Sequence, residues 1–103
     1  MLNGRKRRPT HPGELLRRDI LPAARLTQAE LARRVGVSRR SISEIVHERR
    51  SVTTDMAHRL ARAFGTTPEF WLNLQQSVDL WDAMQDNKKE YDRITPMLPG
   101  KVA

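Results

Sequence analysis

The chain has 103 residues, of which 19 are basic and 12 acidic, and its formal net charge at neutral pH is +7. This length supports one domain with a modest core, and the charge favours a polyanionic partner, with acidic substrates and membrane surfaces as further options. The chain contains no cysteine, which excludes disulfides and cysteine-ligated zinc. It has no apolar run of the ~20 residues that span a membrane and no apolar signal core. These two features predict a soluble, non-exported cytoplasmic protein.

Residues 1–10 form a basic segment that we interpret as a flexible arm. Its cations are Arg5, Lys6, Arg7 and Arg8. Such a run is either a solvated tail or a source of phosphate or partner contacts. The folded domain is predicted to cover residues 11–92, and residues 93–103 are predicted to form a flexible tail because they are rich in proline and glycine.

A first helix is predicted to open at Pro12 and to stop near Pro22. Its inward residues are Leu15, Leu16 and Ile20. A fourth helix is predicted to begin in residues 52–55, which supply a hydroxyl cap and an acidic residue, to end at Gly65 and to carry one apolar stripe. The stripe consists of Met56, Ala57, Leu60, Ala61 and Phe64.

The most informative segment, residues 26–46, predicts two short helices joined by a tight turn. Thr27 is placed to cap the first of them, and Glu30 completes a capping box three residues later. Gly36 supplies a positive φ at the turn, and Ser38 caps the next helix. Together with one apolar face on each helix, this spacing indicates a helix-turn-helix; two amphipathic helices alone would equally describe a helical hairpin.

A longer fifth helix is predicted to begin at Thr67 and Pro68 and to run beyond Met84. Apolar residues recur along it at spacings of three and four, at Phe70, Trp71, Leu74, Val78 and Trp81. Two tryptophans on one stripe exceed what the end of a small bundle covers, which predicts an interface with a second copy or another protein. The alternative is that the stripe folds back onto the first helix, because a small domain is short of core.

Several of these segments resemble the HigA antitoxins, which are small Xre-type, lambda-repressor-like regulators encoded beside a HigB toxin. The resemblance covers residues 11–84 and depends most on residues 53–75, which end in Gly-Thr-Thr-Pro-Glu-Phe-Trp-Leu-Asn-Leu-Gln. It implies an all-α fold of five helices with a longer C-terminal helix. It further implies a homodimer without cofactor or metal that represses its own operon by binding double-stranded operator DNA and that neutralises a HigB-like mRNA endonuclease.

By position, the resemblance assigns the outer face of the third helix to the major groove, where side chains read bases. The base-contacting positions would be Ser38, Arg39, Arg40, Ser41, Ser43 and Glu44. The phosphate-contacting positions would be Thr27, Gln28, Arg33, Arg34, His47, Arg49 and Arg50. Glu44 departs from the expected basic character, because a carboxylate repels phosphate. It either accepts from a cytosine amino group or pairs with Arg40 one turn earlier.

Three other functions are compatible with the sequence. A stand-alone transcriptional regulator would share the fold and lack a toxin, and a protein-interaction module would use the basic face for solubility alone. An enzyme would need a nucleophile with a base, or a metal cluster. His11, His47 and His58 lie on separate segments, and neither a His-Glu-x-x-His motif nor a glycine-rich phosphate loop occurs. We therefore interpret the histidines as surface or capping residues and nominate no catalytic or metal-binding residue.

Overall fold

The computed structural model describes residues 7–98, and all regular structure in this range is helical. Five helices follow one another, which confirms the predicted all-α class. Helix α1 joins three consecutive pieces, Pro12–Leu15, Leu16–Ile20 and Leu21–Ala24, and is followed by α2 (Gln28–Val35), α3 (Arg39–Val46), α4 (Thr54–Phe64) and α5 (Pro68–Asp92). No helix in the described range is long and apolar enough to cross a bilayer.

Helix α1 continues past Pro22, where the sequence predicted its end. The middle piece is π-helical, and the N–H of Leu21 bonds the carbonyl of Leu16 five residues earlier. A π turn shifts the backbone hydrogen-bond register by one residue. Pro22 therefore lies in the first turn of a new α-helical piece, where its missing N–H leaves no bond unmade. The helix ends at Arg25, which adopts a left-handed conformation.

The predicted caps and turn glycines are confirmed. The N–H of Thr27 donates to the Glu30 carboxylate over 2.9 Å, and the N–H of Glu30 donates to the Thr27 hydroxyl over 3.1 Å. These bonds, the backbone one foremost, hold the pKa of Glu30 below its ordinary value. Ser38 caps α3, while Gly36 and Gly65 end α2 and α4 with φ of 77° and 69°.

One hydrophobic cluster fills the space between the helices, and α1 packs unusually close to α3 within it. Its largest fully buried members are Leu16, Leu31, Ile42, Ile45, Leu60 and Trp71. A Cβ atom at Gly13 would lie only 1.8 Å from the carbonyl oxygen of Ile45. Gly13 is therefore required by the close approach of α1 to α3, a role that its place in the first helical turn did not indicate.

Candidate nucleic-acid interface

Helix α3 separates a buried apolar face from an exposed polar one. Ile42 and Ile45 are completely buried and Val46 is 1% exposed, because α1 and α2 pack against this side of the helix. The opposite side meets solvent. All six residues predicted to contact bases, Ser38, Arg39, Arg40, Ser41, Ser43 and Glu44, are exposed or half-buried there. We call these six residues the reading face.

The start of the reading face carries two adjacent hydroxyl groups. The Ser38 hydroxyl accepts the N–H of Ser41 over 3.1 Å, and the two side-chain oxygens lie 2.9 Å apart. The unpaired N–H groups of a helix N-terminus attract anions. This end of α3 therefore combines hydroxyl groups with a favourable electrostatic field for phosphate or a base edge.

Glu44 is paired with arginines. Its carboxylate accepts from Nε of Arg40 over 3.2 Å and from Nη2 of Arg50. The hydrogen bonds from Arg40 and then Arg50 hold the pKa of Glu44 below its ordinary value. Of the two roles considered for Glu44, pairing with Arg40 is thus the one the free chain adopts. The carboxylate orients two guanidinium groups beside the reading face.

The residues predicted to contact phosphates divide between two places. The first place is α2, where Thr27 and Gln28 lie at the start of the helix and Arg33 is exposed along it. The second place is the segment after α3, which carries His47, Arg49 and Arg50. Arg34 instead lines a groove of about 370 Å³ together with Arg59 and Arg62, and no residue of α3 lines that groove. Arg34 is exposed like Arg33, and its contact with phosphate stays a prediction.

Two arginines that sequence reasoning missed cap the ends of the helix-turn-helix. Nη1 of Arg59, on α4, donates to the carbonyl of Val35 over 2.6 Å at the end of α2. Nη1 of Arg17, on α1, donates to the carbonyl of Val46 at the end of α3. A cation at a helix C-terminus satisfies free carbonyls and opposes the negative end of the helix dipole. These partners lie more than twenty residues apart, so no local pattern identifies them.

Part of the predicted N-terminal arm is packed onto the domain. Nε and Nη2 of Arg8 each donate to the carboxylate of Asp82 over 2.9 Å, and Nη1 donates to Glu48 over 2.7 Å. Pro9 is buried. Residues 8–10 thus do not behave as a free arm, because Arg8 bridges two acidic side chains; Arg5 and Lys6 lie outside the described residues.

The predicted stripe on α5 is divided between the core and the surface. Trp71 is completely buried, and its ring N–H donates to the Thr66 hydroxyl over 2.8 Å; Val78 is 1% exposed. These two residues have no surface for a partner, which corrects their assignment to an interface. They turn inward because α5 packs on α4 and α1. Phe70, Leu74 and Trp81 keep exposed surface.

The histidines occupy three separate environments. His11 is buried and caps α1, with its Nδ1 accepting the N–H of Gly13 over 2.8 Å, whereas His47 and His58 are exposed. Burial lowers the pKa of His11. Among residues 7–98, no three histidine or acidic side chains gather into a group that could hold a metal.

Comparison with known proteins places this geometry among DNA-binding proteins. A helix-turn-helix family model matches residues 16–71. A Haemophilus influenzae protein described as an uncharacterized HTH-type transcriptional regulator is 41% identical over 91% of this chain and 87% of its own length. Antitoxin HigA-1 of Vibrio cholerae is 39% identical over 89% of this chain and 87% of its own length. A solved structure of the Pseudomonas aeruginosa antitoxin HigA with the higBA promoter superposes with a TM-score of 0.83 at 42% identity, covering 88% of this chain and 100% of that one.

Proposed function

Because the chain belongs to the helix-turn-helix family and, within it, to the HigA antitoxins, we propose that it is an antitoxin that represses its own operon by binding operator DNA. The observation that carries this proposal is the reading face: a rigid helix, fixed by a fully apolar inner side, presents hydroxyl and guanidinium groups to solvent. Such groups recognise base edges and phosphates in a major groove. The net charge of +7 attracts the same polyanion.

In this proposal the protein binds as a homodimer, with two copies of α3 in successive major grooves about 34 Å apart. The residues that contact bases are Ser38, Arg39, Arg40, Ser41, Ser43 and Glu44, and those that contact phosphates are Thr27, Gln28, Arg33, Arg34, His47, Arg49 and Arg50. The exposed apolar residues of α5 support self-association, because an apolar patch on a small protein is normally covered by a partner. The protein acts in the cytoplasm by binding, without catalysis.

The second partner that we propose is a HigB-like toxin. The basis is family membership, since the relative from Vibrio cholerae is named as an antitoxin. A stand-alone regulator without a toxin is the competing proposal, and the name of the relative from Haemophilus influenzae favours it.

Co-expression with the neighbouring open reading frame tests both proposals. We expect the two products to purify together and the complex to protect a palindromic site upstream of the operon in a footprint. Protection of that site by the chain alone, with no co-purifying neighbour, would favour the stand-alone regulator. Binding to promoter and scrambled duplexes with equal affinity at low salt would overturn repression through sequence-specific DNA binding.

The steepness of the salt dependence separates DNA binding from a protein-interaction module. Each phosphate contact releases counterions, so several contacts make the affinity for DNA fall steeply as salt is added. A salt-insensitive association with protein and none with DNA would support the interaction module.

A further inference from the structure

Residues 48–52 form the middle of the loop between α3 and α4, and the first of them, Glu48, is attached to α5 through Arg8. Glu48 accepts from Nη1 of Arg8 over 2.7 Å, while the other two nitrogens of that guanidinium donate to Asp82 of α5, each over 2.9 Å. A three-donor arrangement of this kind fixes the position of a guanidinium in a way that a single contact does not. The chain direction at Glu48 is therefore tied to α5.

The same loop is attached to α5 at its last residue. The N–H of Val52 donates over 2.9 Å to the side-chain oxygen of Gln75, which is only 5% exposed. The amide nitrogen of Gln75 in turn donates to Asp79 over 2.9 Å. Since a buried amide with both ends bonded is held in one orientation, Val52 is fixed as firmly as Glu48.

The backbone turns at Glu48, where the chain leaves the end of α3. Its φ is +62°, the N–H of Glu48 donates to the carbonyl of Ile45 over 2.9 Å, and the N–H of Arg49 donates to the carbonyl of Glu44 over 2.7 Å. These bonds form a left-handed helix C-terminus, so the end of α3 sets the direction of the turn and the attachments to α5 hold the residues that follow it. Between the two attachment points lie Arg49 and Arg50, both exposed. Glu44 bonds the guanidinium of Arg50, so the attachment points fix the backbone that carries the two arginines.

We propose that Arg8, Asp82 and Gln75 are positioning residues for DNA binding, which clamp the loop of residues 48–52 to α5 and thereby aim Arg49 and Arg50 at the DNA backbone. This role rests on the proposed function. It makes α5 part of the DNA-binding machinery although none of its side chains is assigned to touch DNA. The clamp acts by fixing the loop before DNA arrives, which reduces the entropy lost on binding.

The test is operator affinity of Asp82→Ala, measured on the full-length protein with its own promoter duplex. Removing an acidic group raises the net charge, so simple electrostatics predicts tighter DNA binding. The clamp predicts the opposite, an affinity about three- to ten-fold weaker, as expected for coupling through a contact network. Asp86→Ala is the matched control: the same charge change on the same helix, at an exposed residue outside the ion pairs described for residues 7–98.

A second measurement shows whether Asp82 acts through the loop. In an Arg49→Ala/Arg50→Ala background, Asp82→Ala should cause little further loss, because the groups it positions are already gone.

The outcomes are distinguishable once thermal unfolding has shown that each variant is folded. Equal affinities for Asp82→Ala and Asp86→Ala, or a loss that persists in the Arg49→Ala/Arg50→Ala background, would overturn the positioning role while leaving operator binding intact. A wild-type protein that does not prefer its promoter would overturn the proposed function and the clamp together.

Discussion

Helices α3 and α5 are both amphipathic, yet they leave opposite kinds of surface uncovered. Every apolar side chain of α3 is buried, and its exposed residues are polar. Helix α5 buries Trp71 and Val78 but exposes Phe70, Leu80, Met84 and Tyr91 by 40–49%. The chain thus completes the packing of α3 by itself, whereas α5 keeps exposed apolar surface, which we propose that a second copy of the chain covers. The two helices therefore present surfaces of different chemistry, one suited to a hydrated polyanion and one to an apolar partner.

The comparison is tested most strongly by two adjacent aromatic residues of α5. Trp71→Ala should lower the free energy of unfolding by about 3–5 kcal/mol, because it empties a fully buried site. Phe70→Ala should lower it by about 1 kcal/mol, the value of its edge contact with Trp71. Urea unfolding measures both, and sedimentation should show weaker self-association for Phe70→Ala. Similar losses of stability for the two variants would contradict the division of α5 into buried and exposed faces.

The inner side of α3 is tested by Gly13→Ala. The new methyl group would meet the carbonyl of Ile45, so α1 and α3 must move apart at a cost of about 1–3 kcal/mol. Gly65→Ala is the control, because its Cβ meets no atom within 4 Å and only its positive φ is unfavourable. Thermal unfolding should show a larger decrease in melting temperature for Gly13→Ala than for Gly65→Ala. Gly13→Ala should also bind the operator more weakly. An unchanged melting temperature would contradict the close approach of the two helices.

The outer side of α3 is tested by DNA binding. If Arg40 reads a guanine, Arg40→Ala should cost about 1–3 kcal/mol on the operator and relax the sequence preference at one position. Arg49→Ala should weaken binding to all sequences alike, because a phosphate contact carries no sequence information. A gel-shift series on operator and random duplexes measures both. If Arg40→Ala loses the same affinity for the operator duplex as for the random duplex, Arg40 is not a base-reading residue.

The smallest effect concerns His11, which lies between the end of α3 and α5. Burial lowers its pKa below the ordinary 6.5, so the unfolded chain binds the proton more readily than the folded one. Stability should therefore fall as the pH drops from about 7 to about 5, because protonation removes the acceptor for the N–H of Gly13. The carboxylates of Glu48 and Asp82, whose pKa values are lowered, stay ionised in this window.

Denaturation across this pH range measures the effect. His11→Asn keeps a capping acceptor and should flatten the dependence on pH. His58→Asn, at an exposed position, should leave the dependence unchanged. If the stability of His11→Asn changes with pH as steeply as that of the wild type, the pH dependence of stability belongs to other groups.

Features set by neighbouring residues were predictable from sequence, and features set by distant ones were not. The capping box of Thr27 and Glu30 and the turn at Gly36 involve residues at most a few positions apart, so the pattern contains the whole interaction. The clamp joins Arg8 to Asp82 across 74 positions and has no local signature. On α5, helical spacing identified an apolar stripe without showing that Trp71 faces the core while Phe70 does not, since that depends on where α4 and α1 pack.

The separation of the two sides of α3 has a consequence for how relatives diverge. Ile42, Ile45 and Val46 hold the helix in place, whereas Ser38 and Ser41 bond each other, and Arg40 bonds Glu44, entirely on the outer side. If Arg40 and Ser41 contact bases as proposed, substituting them would change which nucleotides are recognised and leave the buried side of α3 packed, whereas Ser38 is less free to change because it also caps the helix. A duplicated copy could therefore acquire a new target sequence through a few exposed changes, and two such copies in one cell would regulate separate promoters without cross-talk.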